Sequence, residues 1–227
     1  LAARGEDFEG RTAVVSGSGN VATFAIEKLQ EFGAKVVACS DSGGYVVDEG
    51  GLDLDLVREI KEKRRGRISE YHRIKGTGTY FVEAGKGAIW NVPCEIALPC
   101  ATQNELGIDD AKALARQGTL AVVEGANMPC TPEAVAYLRK SKVAYAPGKA
   151  ANAGGVALSG LEMSQNAVGL SWDVARLNRL LENTMAEIHA RCLEEGRARG
   201  RRVDYAKGAN RAGFRKVADA MIAYGLV

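Results

Sequence analysis

The residue types best suited to chemistry gather in one glycine-rich stretch. Gly17-Ser18-Gly19-Asn20-Val21-Ala22 fits the pattern G-x-G-x-x-A. In that pattern the first glycine permits a tight strand-to-helix turn and the second lets the backbone approach a pyrophosphate. The small Ala22 lets the helix lie close to the strand, and the helix N-terminus offers N–H groups to phosphate oxygens. An ordinary βα turn also uses glycines, so the context carries the argument. The stretch follows an apolar run, opens a helical pattern, and is followed by Asp41 at close to the ~20-residue spacing of a ribose-binding acid. Asp41 alone suits NAD, because a carboxylate repels a 2′-phosphate. Yet Ser42 comes next, and Lys61, Lys63, Arg64, Arg65 and Arg67 follow soon after. A hydroxyl with a converging cation is what a 2′-phosphate requires, although most of such a basic run is expected to be solvated. NADP is therefore the favoured cofactor and NAD the alternative.

Other chemistries lack their residues. Gly148-Lys149 is followed by Ala150 and Gly85-Lys86 by Gly87, so neither makes a G-x-x-x-x-G-K-[ST] phosphate loop. Ser16 and Ala157 stand where a G-x-S-x-G elbow around Ser18 or Ser159 needs glycine. The only histidines are His72, expected at the surface, and His189, expected as a structural residue of a long helix, so a multi-histidine metal site is excluded. The five cysteines (Cys39, Cys94, Cys100, Cys130, Cys192) are scattered and never spaced C-x-x-C. This argues for reduced thiols in a cytoplasmic protein.

These groups must be held by an alternation of elements. Apolar, β-branched runs at 12–16, 35–40, 95–98, 120–123 and 143–146 read as buried strands. Helical patterns fall between them at 20–32, with Val21, Phe24, Ala25 and Leu29 as the apolar face, and at 53–63, with Leu56, Val57 and Ile60. Two more lie at 108–117 and 132–140, the last with Thr131 as N-cap and Pro132 at its first position. Beyond Asn152 the strands stop, and 152–166, 174–195 and 208–224 read as helices. The expected fold is α/β: a Rossmann-like, doubly wound, mostly parallel sheet over 1–151 with a helical carboxyl-terminal annex over 152–227. The 227 residues suit that size, and 27 glycines exceed the roughly 16 of average composition. A net charge of +2 gives no footprint for nucleic acid or an anionic membrane. No run approaches the roughly 18–20 apolar residues of a membrane span, and residues 1–10 hold no signal-peptide core.

Several runs together resemble the nucleotide-binding half of the hexameric glutamate dehydrogenases, of the NADP-dependent bacterial type. They are 15–22 (VSGSGNVA), 97–105 (ALPCATQNE), 123–129 (VEGANMP), 146–156 (APGKAANAGGV), 159–166 (SGLEMSQN), and GAN at 208–210 with KVADAM at 216–221. The resemblance implies that Gly17, Ser18, Gly19, Asn20 and Val21 hold the pyrophosphate and adjacent ribose, and that Ala101 and Thr102 flank the adenosine. It also implies that Asn127 binds the nicotinamide ribose and Asn152 orients the carboxamide, where the residues alone would read as a turn and a helix cap. Ser42, Lys61 and Arg64 are implied for the 2′-phosphate, and Val156 and Ser159 for the glutamate side chain and its γ-carboxylate.

Nothing here matches the family's amino-terminal substrate domain with its catalytic lysine and aspartate, so no catalytic residue is assigned. Residues 1–5 read as the tail of a helix entering from elsewhere. The chain is thus expected to be one domain of a larger enzyme that interconverts L-glutamate with 2-oxoglutarate and ammonium, inactive alone. The alternatives are a sister leucine- or phenylalanine-type dehydrogenase and a non-catalytic NADP(H)-binding module.

Overall fold

The computed structural model describes residues 1–82, 88–197 and 203–225. The Gly85-Lys86-Gly87 run dismissed above lies outside them. The chain divides into two compact units, Leu1–Tyr145 and Ala146–Val227.

The first unit is built on seven strands: β1 (Thr12–Val15), β2 (Lys35–Asp41), β3 (Gly44–Val47), β4 (Thr79–Val82), β5 (Ile96–Leu98), β6 (Ala121–Val123) and β7 (Ala144–Ala146). Their order in the sheet is β4-β3-β2-β1-β5-β6-β7. β1 pairs in parallel with β2 and β5, and β5 with β6, whereas β2, β3 and β4 are joined antiparallel. The fold is therefore the expected doubly wound, mostly parallel sheet. The β3–β4 limb is an addition to the expectation. Its first hairpin turns on Ser42 and Gly43, between the paired Asp41 and Gly44. A two-residue Ser-Gly turn between β-branched runs is a hairpin signal; the phosphate reading of Ser42 had absorbed those residues. Gly44 is required there: its φ is +156°, and a Cβ would meet the Phe81 carbonyl oxygen at 2.1 Å.

β1 is buried along Ala13, Val14 and Val15, which explains why its run is continuously apolar. A central parallel strand has helices on both faces. α1 (Asn20–Glu31), α2 (Leu54–Arg58), α3 (Tyr71–Lys75), α4 (Ile108–Gln117) and α5 (Pro132–Lys140) accompany the sheet. α4 and α5 have the expected bounds, and the Thr131 hydroxyl caps α5 by accepting from the Ala134 amide. α1 corrects its expected face. Ala22, Ile26 and Leu29 enter the core, with Thr23 buried beside them, while Val21 and Phe24 are exposed. Phe24 instead lies under the Arg58 guanidinium, 5.8 Å from the ring centroid. The helix of 53–63 is also modified. Asp53 caps α2, and at Glu59–Lys63 the helix widens into a π turn, closed by Arg64 N donating to the Glu59 carbonyl at 3.0 Å. His72, expected exposed, is half-buried, stacked on Tyr80 at 6.2 Å with its Nδ1 sequestered. Ile26, Val36, Val57, Ile60, Ile68 and Tyr71 belong to one buried cluster with Ala13 and Val15.

The second unit holds α6 (Gly148–Ala151), α7 (Ala153–Val168), α8 (Val174–Gly196) and α9 (Tyr205–Tyr224). α9 begins three residues before the expected start, because the Asp204 carboxylate caps it through the Lys207 amide at 3.0 Å. α8 and α9 approach closely. Gly208 sits so near α8 that a Cβ would meet the Cys192 carbonyl oxygen at 2.1 Å, whereas at Gly213 nothing lies within 4 Å. Gly208→Ala is therefore expected to cost about 1–3 kcal/mol through overpacking against backbone. Gly213→Ala, on the same helix, should be neutral or stabilise by up to about 1 kcal/mol through helix propensity. Thermal and urea unfolding of the two variants checks the contrast.

Candidate functional site

β1 neighbours β2 on one side and β5 on the other, and the chain between β2 and β5 leaves one half of the sheet for the other. That makes the carboxyl ends of β1 and β5 the topological switch point, where open α/β sheets bind ligands. Two buried hydroxyls clamp this edge. Ser16 Oγ accepts from the Cys100 amide and Ser40 Oγ from the Gly17 amide, each at 2.8 Å. Gly17, at φ +85°, turns the chain so closely past β5 that a Cβ would meet Ala101 Cα at 3.2 Å. Neither serine was singled out from the sequence; the signal was a small hydroxyl closing each strand run.

From this turn the expected residues line the same edge. Ser18 is buried, and Gly19, Asn20 and Val21 are exposed at the start of α1. Gly19 is the N-cap and no side chain caps the helix, which leaves its first-turn N–H groups suited to an anion. Across the switch point Ala101 and Thr102 are exposed, as is Asn127 beyond β6. Val21 Cγ1 comes within 3.2 Å of a Cβ built on Gly125, so α1 and the Asn127 loop are neighbours. Among the described residues the non-glycine ones with left-handed backbone are Arg65, Asn104 and Met128; Asn104 and Met128 lie in the loops that carry Thr102 and Asn127, where backbone strain commonly accompanies function.

At the end of β2 the Asp41 carboxylate is held by the protein itself. Its side chain is only 6% exposed. Oδ1 accepts from the Gly43 amide at 2.9 Å, and Oδ2 from the Ile68 amide at 2.9 Å and Lys61 Nζ at 3.3 Å. Both oxygens are engaged by the protein, and the carboxylate ties the hairpin turn, the Ile68 amide and Lys61 together. Burial would raise its pKa, but the Ile68 and Gly43 amides with Lys61 outweigh that and hold it below the usual value. Ser42, the next residue, is exposed, and Arg67 Nη1 donates to its Oγ at 2.6 Å. Arg64 turns elsewhere, its Nε donating to Glu59 at 3.0 Å, and Lys63 and Arg65 are exposed. The structure thus gathers Ser42, Lys61 and Arg67; Arg67 was within the basic run but not picked from it. The π turn after α2 changes the phase of the following residues, which residue counting does not show.

In the second unit Asn152 joins α6 to α7, with no side-chain cap bond. Val156 is exposed on α7, and Ser159, three residues on, donates its Oγ proton to the Gly155 carbonyl at 3.1 Å. A spacing of three leaves both on one helix face.

The sheet also carries a hollow away from this edge: about 760 Å³ opens around Thr12, Lys35, Val37, Val47 and Val92, toward the amino ends of β1 and β2. Burial pushes the thiols of Cys39, Cys94 and Cys100 up to about 12, so they are poor nucleophiles near neutrality. Among the described residues no group of acids, histidines or cysteines is arranged to hold a metal ion, and no helix is long and apolar enough to cross a membrane.

Sheet order, switch point and glycine turn define a Rossmann-like α/β domain of the dinucleotide-binding class. The chain belongs to the Glutamate/Leucine/Phenylalanine/Valine dehydrogenase family, whose model matches residues 1–225. It is 51% identical over 230 residues to a glutamate dehydrogenase of Bacteroides thetaiotaomicron, covering all of this chain and 51% of the relative. It is likewise 51% identical to the NADP-specific glutamate dehydrogenase of Escherichia coli, of which it covers 50%. The crystal structure of Plasmodium falciparum glutamate dehydrogenase superposes with a TM-score of 0.92 at 42% identity, over all of this chain and 49% of that one. The chain thus spans about half the length of these relatives.

The lowered pKa of Asp41 fixes the sign of a pH effect. A carboxyl whose pKa is depressed by folding stabilises the fold above its unfolded value, and that contribution fades as pH falls through the folded value. Asp41→Asn should therefore be less stable than the unaltered chain at neutral pH, with the gap closing below about pH 4. Urea unfolding of both proteins across that range measures it.

Proposed function

We propose that this chain is the NADP-binding part of an NADP-dependent glutamate dehydrogenase. The observation that carries the cofactor choice is the grouping of Ser42, Lys61 and Arg67 around an Asp41 whose oxygens are already engaged. Such a group presents cationic and hydroxyl donors to a 2′-phosphate without an opposing free carboxylate. In this reading Gly17, Ser18, Gly19, Asn20 and Val21 bind the pyrophosphate, with the α1 N-terminus favouring its charge. Ala101 and Thr102 flank the adenosine, Asn127 takes the nicotinamide ribose, and Asn152 the carboxamide. The backbone fits: Gly17 has the positive φ and close approach that such a turn needs, and no side chain obstructs the helix N-terminus by capping it.

The bound cofactor supplies a hydride acceptor at C4 of the nicotinamide. The chain's own residues bind and orient it. Val156 and Ser159 contact the glutamate side chain, the hydroxyl suiting its γ-carboxylate where a leucine- or phenylalanine-type pocket would favour an apolar group. The division of labour would be 1–151 for the dinucleotide and 152–227 for the substrate-side helices. The groups that move the proton in converting L-glutamate to 2-oxoglutarate and ammonium belong to the half of such enzymes that this chain does not match. A hexameric assembly, a cytoplasmic location and a part in nitrogen assimilation follow from the same resemblance.

Calorimetric titration tests this reading. NADP should bind more tightly than NAD. Lys61→Ala and Arg67→Ala should each weaken NADP roughly tenfold or more, the scale of a charge-assisted hydrogen bond, with little effect on NAD. Arg64→Ala should cost less. Tighter binding of NAD than of NADP would reject the phosphate assignment, and glutamate oxidation by the pure chain would reject the claim that it lacks the catalytic groups.

A further inference from the structure

Two loops at the carboxyl edge, 99–107 after β5 and 124–131 after β6, form a single hydrogen-bonded block. Gly125 N and Ala126 N both donate to the Pro99 carbonyl at 3.0 Å. Asn104 N donates to Met128 O, Leu106 N to Pro129 O and Thr131 N to Leu106 O, each at 3.0 Å. The first of these bonds links the two left-handed residues, Asn104 and Met128. Held inside the block are two buried acids, Glu105 at 9% and Glu124 at 4% exposure. Burying a carboxyl group is costly unless its oxygens find donors, so each needs an account.

Glu105 Oε1 accepts from the Ala101 amide at 2.9 Å and the Thr102 amide at 3.3 Å. Glu124 Oε1 accepts from the Cys130 amide at 3.3 Å, closing the loop that carries Asn127 across its base. The Tyr145 hydroxyl and the Cys130 thiol adjoin the Glu124 carboxyl. Burial first, and the adjoining Glu124 carboxyl next, raise the pKa of both groups, so each keeps its proton and donates.

We propose that Glu105 and Glu124 are positioning residues for opposite halves of the dinucleotide. Glu105 holds Ala101 and Thr102 in place for the adenosine half, and Glu124 shapes the loop that presents Asn127 to the nicotinamide ribose. This rests on the cofactor reading above. The two acids differ in what they tolerate. Glu105 receives two amide protons on one oxygen, which a glutamine oxygen also accepts. Glu124 accepts from the Cys130 amide with the Tyr145 hydroxyl and the Cys130 thiol beside it, and a glutamine there would set its own N–H₂ against these donors.

The test titrates the unaltered chain, Glu105→Ala, Glu105→Gln, Glu124→Ala and Glu124→Gln with NADP and with 2′,5′-ADP, which carries only the adenosine half. Glu105→Ala is expected to weaken both ligands at least tenfold, and Glu105→Gln to recover most of that loss. Glu124→Ala should weaken NADP about tenfold and leave 2′,5′-ADP within twofold. Glu124→Gln, nearly isosteric, should do the same and stands in if the alanine variant does not fold. A structural role alone would lower both ligands together in every variant. If the unaltered chain binds NADP while the variants lose both ligands alike, or neither, this proposal is overturned and the cofactor reading stands. If the unaltered chain binds neither nucleotide, both fall.

Discussion

The close passage of β1's exit turn across the end of β5 is the constraint on which the first unit's site depends. Only a residue without a Cβ, able to hold φ at +85°, lets the chain leave Val15, pass Ala101 and enter α1 within a few residues. The two strand ends must also stay in register. Ser16 and Ser40 achieve this by giving buried amides of Cys100 and Gly17 hydroxyl acceptors, since a buried N–H without a partner costs about 1–3 kcal/mol. The anion-binding potential of the α1 N-terminus follows from that geometry. The helix begins where the turn ends, its first-turn amides uncapped, at the edge where the sheet reverses its winding direction.

A second constraint is electrostatic. A carboxylate at the end of β2 would oppose a phosphate if it faced outward. Here two backbone amides and Lys61 occupy its oxygens, and the Ser42–Gly43 hairpin turn directs the chain away into β3. The acid thereby organises the neighbouring donors. The Ile68 amide that it holds follows Arg67 directly, and Arg67 is bonded to Ser42. An acid after the second strand is thus no guide to NAD by itself; what matters is whether the fold leaves its oxygens unoccupied.

The second unit follows different rules. α8 and α9 meet where glycines remove side chains from the contact, and the Glu195 carboxylate, 9% exposed, pairs with Arg215 at 2.6 Å and Arg211 at 3.5 Å. Elsewhere α9 exposes Phe214, Val217, Met221 and Ile222, and α7 exposes Val156 and Met163.

The fold class and the runs that form the parallel strands were legible because period and punctuation are local. Continuous apolar runs mark strands buried on both faces, and Thr131-Pro132 marks a helix start whatever surrounds it. The glycine turn and the resemblance runs were legible for the same reason. What escaped was set by contacts distant in sequence. The face that α1 buries depends on what packs against it, so Phe24, apolar but unopposed by the core, ended beneath Arg58. The choice of Arg67 over Arg64 turns on a π turn that shifts the helical phase after Arg58. The clamps at Ser16 and Ser40 join residues far apart in the sequence, and the loops that hold Glu105 and Glu124 are tied to each other by backbone bonds. The sequence by itself determined the parallel strands, most of the helices, the glycine-rich turn and the family; only the tertiary structure decided the antiparallel β3–β4 limb, which charges converge at Ser42 and which acids turn inward, because the partners of strands and of buried groups are chosen by proximity in space.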